Sequence, residues 1–411
     1  MAFNTLVFSV TFLSLAIWIY LLGFRGQFWR CDQRLDSQTA ELETWPTISV
    51  VIPARNEADL LPKTLRSLLT QNYPGILNII LVDDHSSDGT AKVANQVGQE
   101  LGKTQLLHIL SAKPLPPNWT GKLWALQQGT DYAQTLTPPP DYCLLTDADI
   151  QHDPDNLRQL VTKAEQDNLD LVSLMVKLRC ESFWEKFLIP AFIFFFEKLY
   201  PFPWVNNPTK PMAAAAGGCI LLKSEALNRI GGIAIVKNAL IDDCALAAAV
   251  KLGKLPKSPG KNPISDQFPL KKDISPIWLG LSEKTISLRP YSSLATIWQM
   301  VARTAYTQLN YSPLLLAGTV VAMMIIYLIP PIAIIFGSLS ENGQIAIVGL
   351  ITWLLMAVAY FPTVRLYQRS PLWALSLPAI AFLYTLMTLD SALRHWQKRG
   401  GNWKGRVYSN E

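Results

Sequence analysis

Charge is scarce in this 411-residue chain: Asp, Glu, Lys and Arg make up only 16% of it, half is hydrophobic, and four residues are histidine. That balance is oily for a soluble domain and points to membrane segments beside a globular part. The net charge of +5 is too weak and too scattered to argue for nucleic acid, but it suits an anionic membrane surface. Cysteine is sparse too. Cys31, Cys143, Cys180, Cys219 and Cys244 form no CxxC pair and no metal-finger spacing, which favours reduced, buried thiols in a cytoplasm-facing protein. No GxGxxG follows the first strand pattern and no GxxxxGK[ST] occurs, which argues against NAD and ATP sites of those types. A basic start and a small-residue cleavage site are missing at the amino terminus, so a secretory signal peptide is not expected. No internal repeat is evident.

What is present begins with an uncharged run, 4–24. At ~1.5 Å rise per residue it reaches about 30 Å, the thickness of a bilayer core. Arg25, Arg30 and Arg34 follow it. The positive-inside rule then puts the amino terminus outside and the next domain, 46–290, in the cytoplasm. Residues 183–205 are apolar and aromatic but flanked by Glu185, Lys186, Glu197 and Lys198. A span there would split the domain across the membrane, so an interfacial segment is expected, with a buried core helix as the alternative. Residues 251–282 are rich in Lys and Pro and read as a solvated basic loop. Residues 291–310 read as an amphipathic helix leading back to the membrane. Apolar runs at about 312–336, 345–364 and 371–391 close the chain. Three full spans would leave the basic tail, 392–411, outside, against the charge rule. Two or three membrane segments are therefore expected, one of them re-entrant or interfacial, with the tail in the cytoplasm.

Between 46 and 250 short apolar strands (48–54, 77–84, 105–110, 142–149, 171–178) alternate with amphipathic helices near 58–71, 88–102, 121–135 and 155–168. This alternation predicts an α/β domain with a mostly parallel sheet. Ligands in such sheets bind at the carboxyl ends of the strands. One such end reads LLTDADIQHD, with Asp147 and Asp149 one residue apart. Two close carboxylates repel each other. A hard cation, Mg²⁺ or Mn²⁺, relieves this and takes one or two carboxylates with substrate phosphates completing its shell. A lone DxD is weak evidence, being common in surface sequence, but this one has company. The first strand ends in PARNEA with Asn56 and Glu57, and the second in VDDHSSDGT with Asp83, Asp84 and Asp88. Such an acid-rich, glycine-poor edge favours a metal–nucleotide donor. Asp88 reads as a helix N-cap, His152 as a surface histidine, and Trp119 and Trp124 as core or interface residues.

These motifs together resemble the family 2 glycosyltransferases of the GT-A fold, over about residues 46–310. The resemblance implies a nucleotide-sugar-binding domain in which Asn56, Glu57, Asp83 and Asp84 bind the uracil and ribose of a UDP-sugar. It puts Lys122 of WTGKLWALQQG near the donor diphosphate and makes Asp147 and Asp149 the metal and diphosphate clamp. AAAAGGCILL, with Gly217 and Gly218, looks like the acceptor-side segment. Asp242-Asp243-Cys-Ala-Leu246 is similar to the family's Glu-Asp-x-x-Leu, with Asp243 on the general-base position and Asp242 replacing the glutamate. Within the family, PPNWTGKLWAL, LLTDADIQH, AAAAGGCILL, SLRPY and MVARTAYTQL look most like the hopanoid-cluster (hopene-associated) glycosyltransferases. Ceramide and carotenoid glycosyltransferases are more distant, although WKGRVY also looks like the latter. Processive members carry QxxRW. Here Gln299-Met-Val-Ala-Arg303-Thr304 has an extra residue and no tryptophan, which argues against polymer synthesis and leaves Arg303 to reach the diphosphate.

The resemblance implies a single inverting transfer to a hydroxyl of a membrane lipid, hopanoid-type or another polycyclic or isoprenoid alcohol. The alternatives are a polyprenyl-phosphate sugar synthase and, in another class, a non-catalytic membrane scaffold with a nucleotide fold.

Overall fold

The computed structural model describes residues 2–35, 41–253, 274–397, 402–403 and 406–407. Helix α1 (Ala2–Phe24) leads into an α/β domain. In chain order this holds β1 (Ile48–Ala54), α2 (Leu61–Leu69), β2 (Leu77–Asp83), α3 (Thr90–Glu100), β3 (Leu107–Ser111), α4 (Gly121–Ala133), β4 (Tyr142–Leu145), β5 (Ile150–Gln151), α5 (Asn156–Gln166) and β6 (Leu171–Lys177). It continues with α6 (Phe183–Leu199), α7 (Phe202–Val205), β7 (Ile220–Lys223), α8 (Ser224–Arg229), α9 (Asp242–Leu252) and β8 (Ile277–Ser287). One eight-stranded sheet runs β3-β2-β1-β4-β7-β6-β8-β5. β3, β2, β1 and β4 are parallel neighbours, and β7 is antiparallel to both β4 and β6. β1 and β4 are buried along their whole length, as central parallel strands covered on both faces must be.

The expected strands and helices are found within a few residues. β4 stops at Leu145, and the acidic residues after it leave the ladder. Three strands, the short β5 and the longer β7 and β8, are additions. The expected basic loop, 251–282, is corrected at both ends. Lys251 belongs to α9, is fully buried, and donates to the carbonyls of Val205, Asn207 and Met212. Residues 277–282 open β8. Composition conceals this because an apolar run, IWLGL, follows directly on the Lys/Pro-rich stretch. Residues 254–273 lie outside the described residues.

The sheet separates two cores. One face packs against α2, α3 and α5 through Ile48, Val50, Leu65 and Leu160. The other core starts at Val51 and Leu145 and runs unbroken through α4 and α6 to Trp18, Tyr360 and Tyr384 of the apolar helices. Among the described residues the apolar core is thus continuous from the domain into those helices, with a few polar contacts such as Lys198 to Tyr327 set into it. Helix α6 sits in this second core, with Glu185 and Glu197 buried, and Ser182 and Glu185 form a capping box at its start.

Beyond the domain lie α10 (Leu294–Ala302), α11 (Ala305–Gln308), α12 (Pro313–Met323), α13 (Ile329–Leu339), α14 (Gly343–Leu366) and α15 (Leu377–Trp396). A π-helical turn, Met324–Leu328, joins α12 to α13. Among the described residues, five segments are long and apolar enough to cross a membrane: Phe3–Phe24, Phe183–Val205, Pro313–Leu339, Gly343–Leu366 and Pro371–Trp396. The last folds back. At the end of α14, Arg369 donates to the carbonyl of Cys180 in the domain. The chain then dips until Leu375 accepts from the indole of Trp353, midway along α14. It returns along α15, whose last turns meet the domain-side linker: Trp298 Nε1 donates to Asp390 (2.6 Å), Ser391 accepts from the Tyr306 amide (3.0 Å), and the His395 ring stacks on Tyr311 at 4.4 Å. The end of α15 and the start of α12 thus lie together.

Helix α4 carries Lys122 and is seated by Gly129, where an added Cβ would lie 2.3 Å from Val51 Cγ1 of β1. Alanine gains about 1 kcal/mol of helix propensity, but overpacking costs about 1–3 kcal/mol. Gly129→Ala is expected to lower the melting temperature of the detergent-solubilised protein; an unchanged or higher value would show that α4 is not seated by this contact.

Candidate active site

The parallel strands bring their carboxyl ends to one edge. Because β7 runs the opposite way, its beginning lies at that edge as well. The last β4–β7 ladder pair is Leu145 with Ile220, so Thr146-Asp147 emerges beside Gly217-Gly218. Helices α4 and α9 aim their amino termini at the same place. Thr120 caps α4 by accepting from the Leu123 amide, which sets Lys122 in the first turn. Asp242 and Asp243 open α9, where the helix dipole favours carboxylates.

These residues share one pocket, walled by Lys122, Asp147, Gly217, Asp242 and Asp243. Lys122 Nζ lies 3.0 Å from Asp147 Oδ1 and 3.3 Å from Asp242 Oδ2. Asp243 Oδ2 accepts from the Gly217 amide at 2.9 Å and Oδ1 from its neighbour Cys244 at 2.7 Å. Gly217 is small for a reason: a Cβ there would sit 3.2 Å from Lys122 Nζ and 3.5 Å from Asp243 Oδ2. Gly218 instead packs against Val176, 3.0 Å from a would-be Cβ.

Burial opposes the charge of Lys122, yet Asp147, Asp242 and Asp243 outweigh it and hold the ammonium above the ordinary lysine range. Burial and repulsion from Asp242 raise Asp243 to about 6, against the opposing pull of Lys122 and the two amides. Asp147 is also raised, first by desolvation and then by Asp149, with Lys122 opposing; about a third of its side chain faces solvent, which tempers the effect.

Next to the pocket, Arg289 makes a bridge that the sequence did not reveal. Its Nε donates to Asp149 Oδ2 and an Nη to Glu57 Oε1, both at 2.7 Å. SLRPY is visible in the sequence. Its place is not, because β8 delivers it to the site edge and β8 was hidden in the expected loop. Asp149 and Glu57 in turn hold the guanidinium above its usual range despite burial.

The two loops expected on the nucleotide side interlock. Asn56, in the left-handed region at φ 52°, accepts from the Ser87 amide, and Asp83 accepts from the Ser86 amide. The Asp84 amide donates to Ala54, and Arg55 stands 3.5 Å from its carboxylate. Asp88 accepts from the amides of Thr90 and Ala58, a turn-closing role at the start of α3. Arg303 ends α10 on the exposed surface. Its charge reaches the Tyr291 hydroxyl, as do those of Asp149, Arg289 and Asp147. His152 is a correction: it is buried, 2% exposed, because both ring nitrogens find internal partners, Thr146 and Asn156. Trp119 and Trp124 pack edge to face with centroids 5.0 Å apart.

Among the described residues no cluster of three or more His, Cys, Asp or Glu side chains forms a closed metal cage. Asp147, about a third exposed on the pocket wall, is a carboxylate of the kind that Mg²⁺ or Mn²⁺ takes together with phosphates and water, whereas Asp149 is buried with one oxygen already engaged by Arg289.

Residues 49–231 match the glycosyl transferase family 2 model. This segment is a family 2 glycosyl transferase domain. It includes every expected nucleotide-side residue, Lys122, both clamp aspartates and Gly217-Gly218; Asp242, Asp243, Arg289 and Arg303 lie beyond it. The chain is 30% identical over 132 residues to a 4,4'-diaponeurosporenoate glycosyltransferase of Staphylococcus haemolyticus, covering 32% of this chain and 30% of that protein. It is 31% identical over 141 residues to an undecaprenyl-phosphate 4-deoxy-4-formamido-L-arabinose transferase of Salmonella choleraesuis, covering 34% and 39%. It thus aligns with about a third of the length of these curated relatives. The solved structure of a mannosyltransferase from Pyrobaculum calidifontis, in complex with GDP-Man and Mn²⁺, superposes with a TM-score of 0.55 over 95% of this chain and 99% of that one, at 16% identity. The family 2 domain therefore has a GT-A-like fold, with a mostly parallel sheet and apolar helices toward both termini.

Arg289→Ala removes the cation shared by two carboxylates that are at most a tenth exposed. Breaking a buried pair costs about 3–5 kcal/mol, and partial exposure of the arginine reduces this to roughly 2–4 kcal/mol. A clear drop in the unfolding midpoint is expected, only partly restored by Arg289→Lys; wild-type stability in the alanine variant would mean that the bridge is not formed.

Proposed function

We propose that this chain is a membrane-bound inverting glycosyltransferase that moves one sugar from a nucleoside-diphosphate sugar, UDP-linked in our reading, to a hydroxyl of a lipid. The observation that carries it is Asp243, fixed by the Gly217 amide across a small pocket from Asp147 and Lys122. A carboxylate raised to about 6 is a competent general base near neutral pH. Asp243 takes the proton of the acceptor hydroxyl as its oxygen bonds to the anomeric carbon. The bond to the diphosphate breaks with its electron pair, and the nucleotide leaves. Asn56, Glu57, Asp83 and Asp84 hold the nucleoside. Lys122, with Arg303 approaching from α10, supplies positive charge where negative charge grows. A Mg²⁺ or Mn²⁺ held by Asp147 and Asp149 would neutralise the departing diphosphate. The mannosyltransferase with GDP-Man and Mn²⁺ supports a nucleotide-sugar donor and a divalent ion on this fold.

The membrane helices favour an acceptor that stays in the bilayer. Tyr200, at the end of α6, lies close enough to Asp243 for its charge to act on the hydroxyl, which accepts from Gln308 of α11 at 2.7 Å. The base therefore faces the seam between α6 and the linker helices, where 183–205 and 291–310 would rest in the headgroup layer of the cell membrane, with the catalytic domain cytoplasmic. The fold-back of α15 supports a cytoplasmic tail. The motif resemblance favours a hopanoid-type or other polycyclic lipid alcohol. A second reading, a polyprenyl-phosphate acceptor, is supported by the undecaprenyl-phosphate transferase among the relatives. Three carboxylates and a single lysine on the pocket wall oppose an anionic acceptor.

Purified protein in lipid, given UDP- and GDP-sugars, a total lipid extract and Mg²⁺, Mn²⁺ or EDTA, is expected to make a new glycolipid with metal-dependent nucleotide release, lost in Asp149→Asn. Asp243→Asn should lower kcat by about 10²–10⁴. With the base active only when deprotonated, kcat should rise with pH through about 6 and then level. Transfer to a polyprenyl phosphate that survives Asp243→Asn would select the second reading. The absence of both turnover and metal-dependent nucleotide binding would select a non-catalytic scaffold.

A further inference from the structure

Behind the pocket, four side chains form a hydrogen-bonded relay that neither the base nor the clamp includes. Thr146, His152, Asn156 and Thr285 are each at most 2% exposed. Thr285 Oγ1 donates to Asn156 Oδ1 at 3.0 Å. Asn156 Nδ2 lies 3.0 Å from His152 Nδ1, and His152 Nε2 lies 3.0 Å from Thr146 Oγ1. Thr146 Oγ1 donates to the Gly218 carbonyl at 2.7 Å. Proton counting fixes the directions. An amide nitrogen only donates, so Nδ1 accepts. The single Thr146 hydroxyl proton is committed to Gly218, so Nε2 must donate. The imidazole is thus neutral and in one tautomer, and burial, which pushes its pKa down to about 3, agrees.

The relay joins the two halves of the site. Thr146 precedes Asp147. Gly218 follows Gly217, whose amide holds Asp243. The β4–β7 ladder has already ended, at Leu145 and Ile220, so the Thr146–Gly218 bond replaces the next rung. His152 is the member that fixes the Thr146 hydroxyl and anchors it, through Asn156 and Thr285, to α5 and β8. A donor and an acceptor at two separated positions of a rigid ring are needed there; glutamine has both, but on a single amide that cannot reach Thr146 and Asn156 in the same way.

We propose that His152 is a positioning residue, which through Thr146 and the Gly218 carbonyl sets the spacing between Asp147 and Asp243. This rests on the reading of those two aspartates as donor clamp and base. A misplacement of about 1 Å costs on the order of 10²-fold in rate, so the effect belongs in kcat rather than in donor binding.

The test compares wild type, Thr146→Val, Thr146→Ser, His152→Gln, His152→Phe and the Thr146→Val/His152→Phe double variant in lipid. It reads kcat, donor KM, UDP binding by calorimetry and thermal unfolding. Thr146→Val and His152→Phe should lose roughly 10- to 100-fold in kcat, with donor KM and UDP affinity within about threefold. Thr146→Ser should recover most of the rate and His152→Gln only part. The double variant should be no slower than the worse single one, since both cut the same link. If His152→Phe does not fold, Thr146→Val decides, because it removes the shared His152–Thr146 bond, and the Gly218 bond with it, with little change in side-chain shape. Folded variants with near wild-type kcat, or losses that multiply in the double variant, overturn the inference while an active wild type keeps the functional reading. A wild type that transfers no sugar overturns both.

Discussion

Everything at the site depends on one cation in an acidic pocket. Lys122 Nζ sits between Asp147 and Asp242, 3.0 and 3.3 Å away, with Asp243 close behind. Without it, three carboxylates from two separate elements would meet in a partly desolvated space, and mutual repulsion would push them apart or protonate them. The lysine lets them converge. Its place depends on α4, so the glycine that seats α4 on β1 and the threonine that caps it belong to the electrostatics of the pocket as much as the lysine does.

A second compensation runs beside the first. Arg289 holds Glu57 of the first strand end and Asp149 after the fourth, coupling the nucleotide-side loops to the acidic pair. Of the two aspartates, Asp147 faces the pocket and Asp149 is anchored from behind. This division gives the pair asymmetric roles in any donor complex: Asp147 can move with its environment, while Asp149 is oriented by a neighbour that is itself two-thirds or more buried. Asp243 lies near Tyr200, where α6 meets the linker helices, and this seam is the approach that the proposed function gives to a lipid acceptor.

Much of this was legible beforehand. The strands of the first half, the helices between them and the acidic strand ends follow from hydrophobic periodicity, which reports burial residue by residue. Lys122, Gly217 and Asp243 were legible through the resemblance of their motifs, and the structure gathers them into one pocket. Arg289 and His152 were not legible in their roles. SLRPY was quoted without a place, because the strand that carries it begins where a Lys/Pro-rich composition had announced a loop. His152 looked like a surface residue because its partners, Thr146 and Asn156, are polar. Polarity next to a histidine in sequence does not tell a solvated side chain from a buried one whose hydrogen bonds are all internal.

The sequence by itself determined the alternation of strands and helices, the acidic character of the strand ends and the oily segments toward both termini, because these follow from local periodicity and composition. Tertiary structure alone decided that β7 runs backwards to bring Gly217 and Gly218 to the acidic edge, that β8 carries Arg289 onto Asp149, and that the last apolar segment folds back to the linker. Each of those outcomes rests on pairing between residues far apart in the chain, whose geometry is set by register and packing and leaves no local pattern to read.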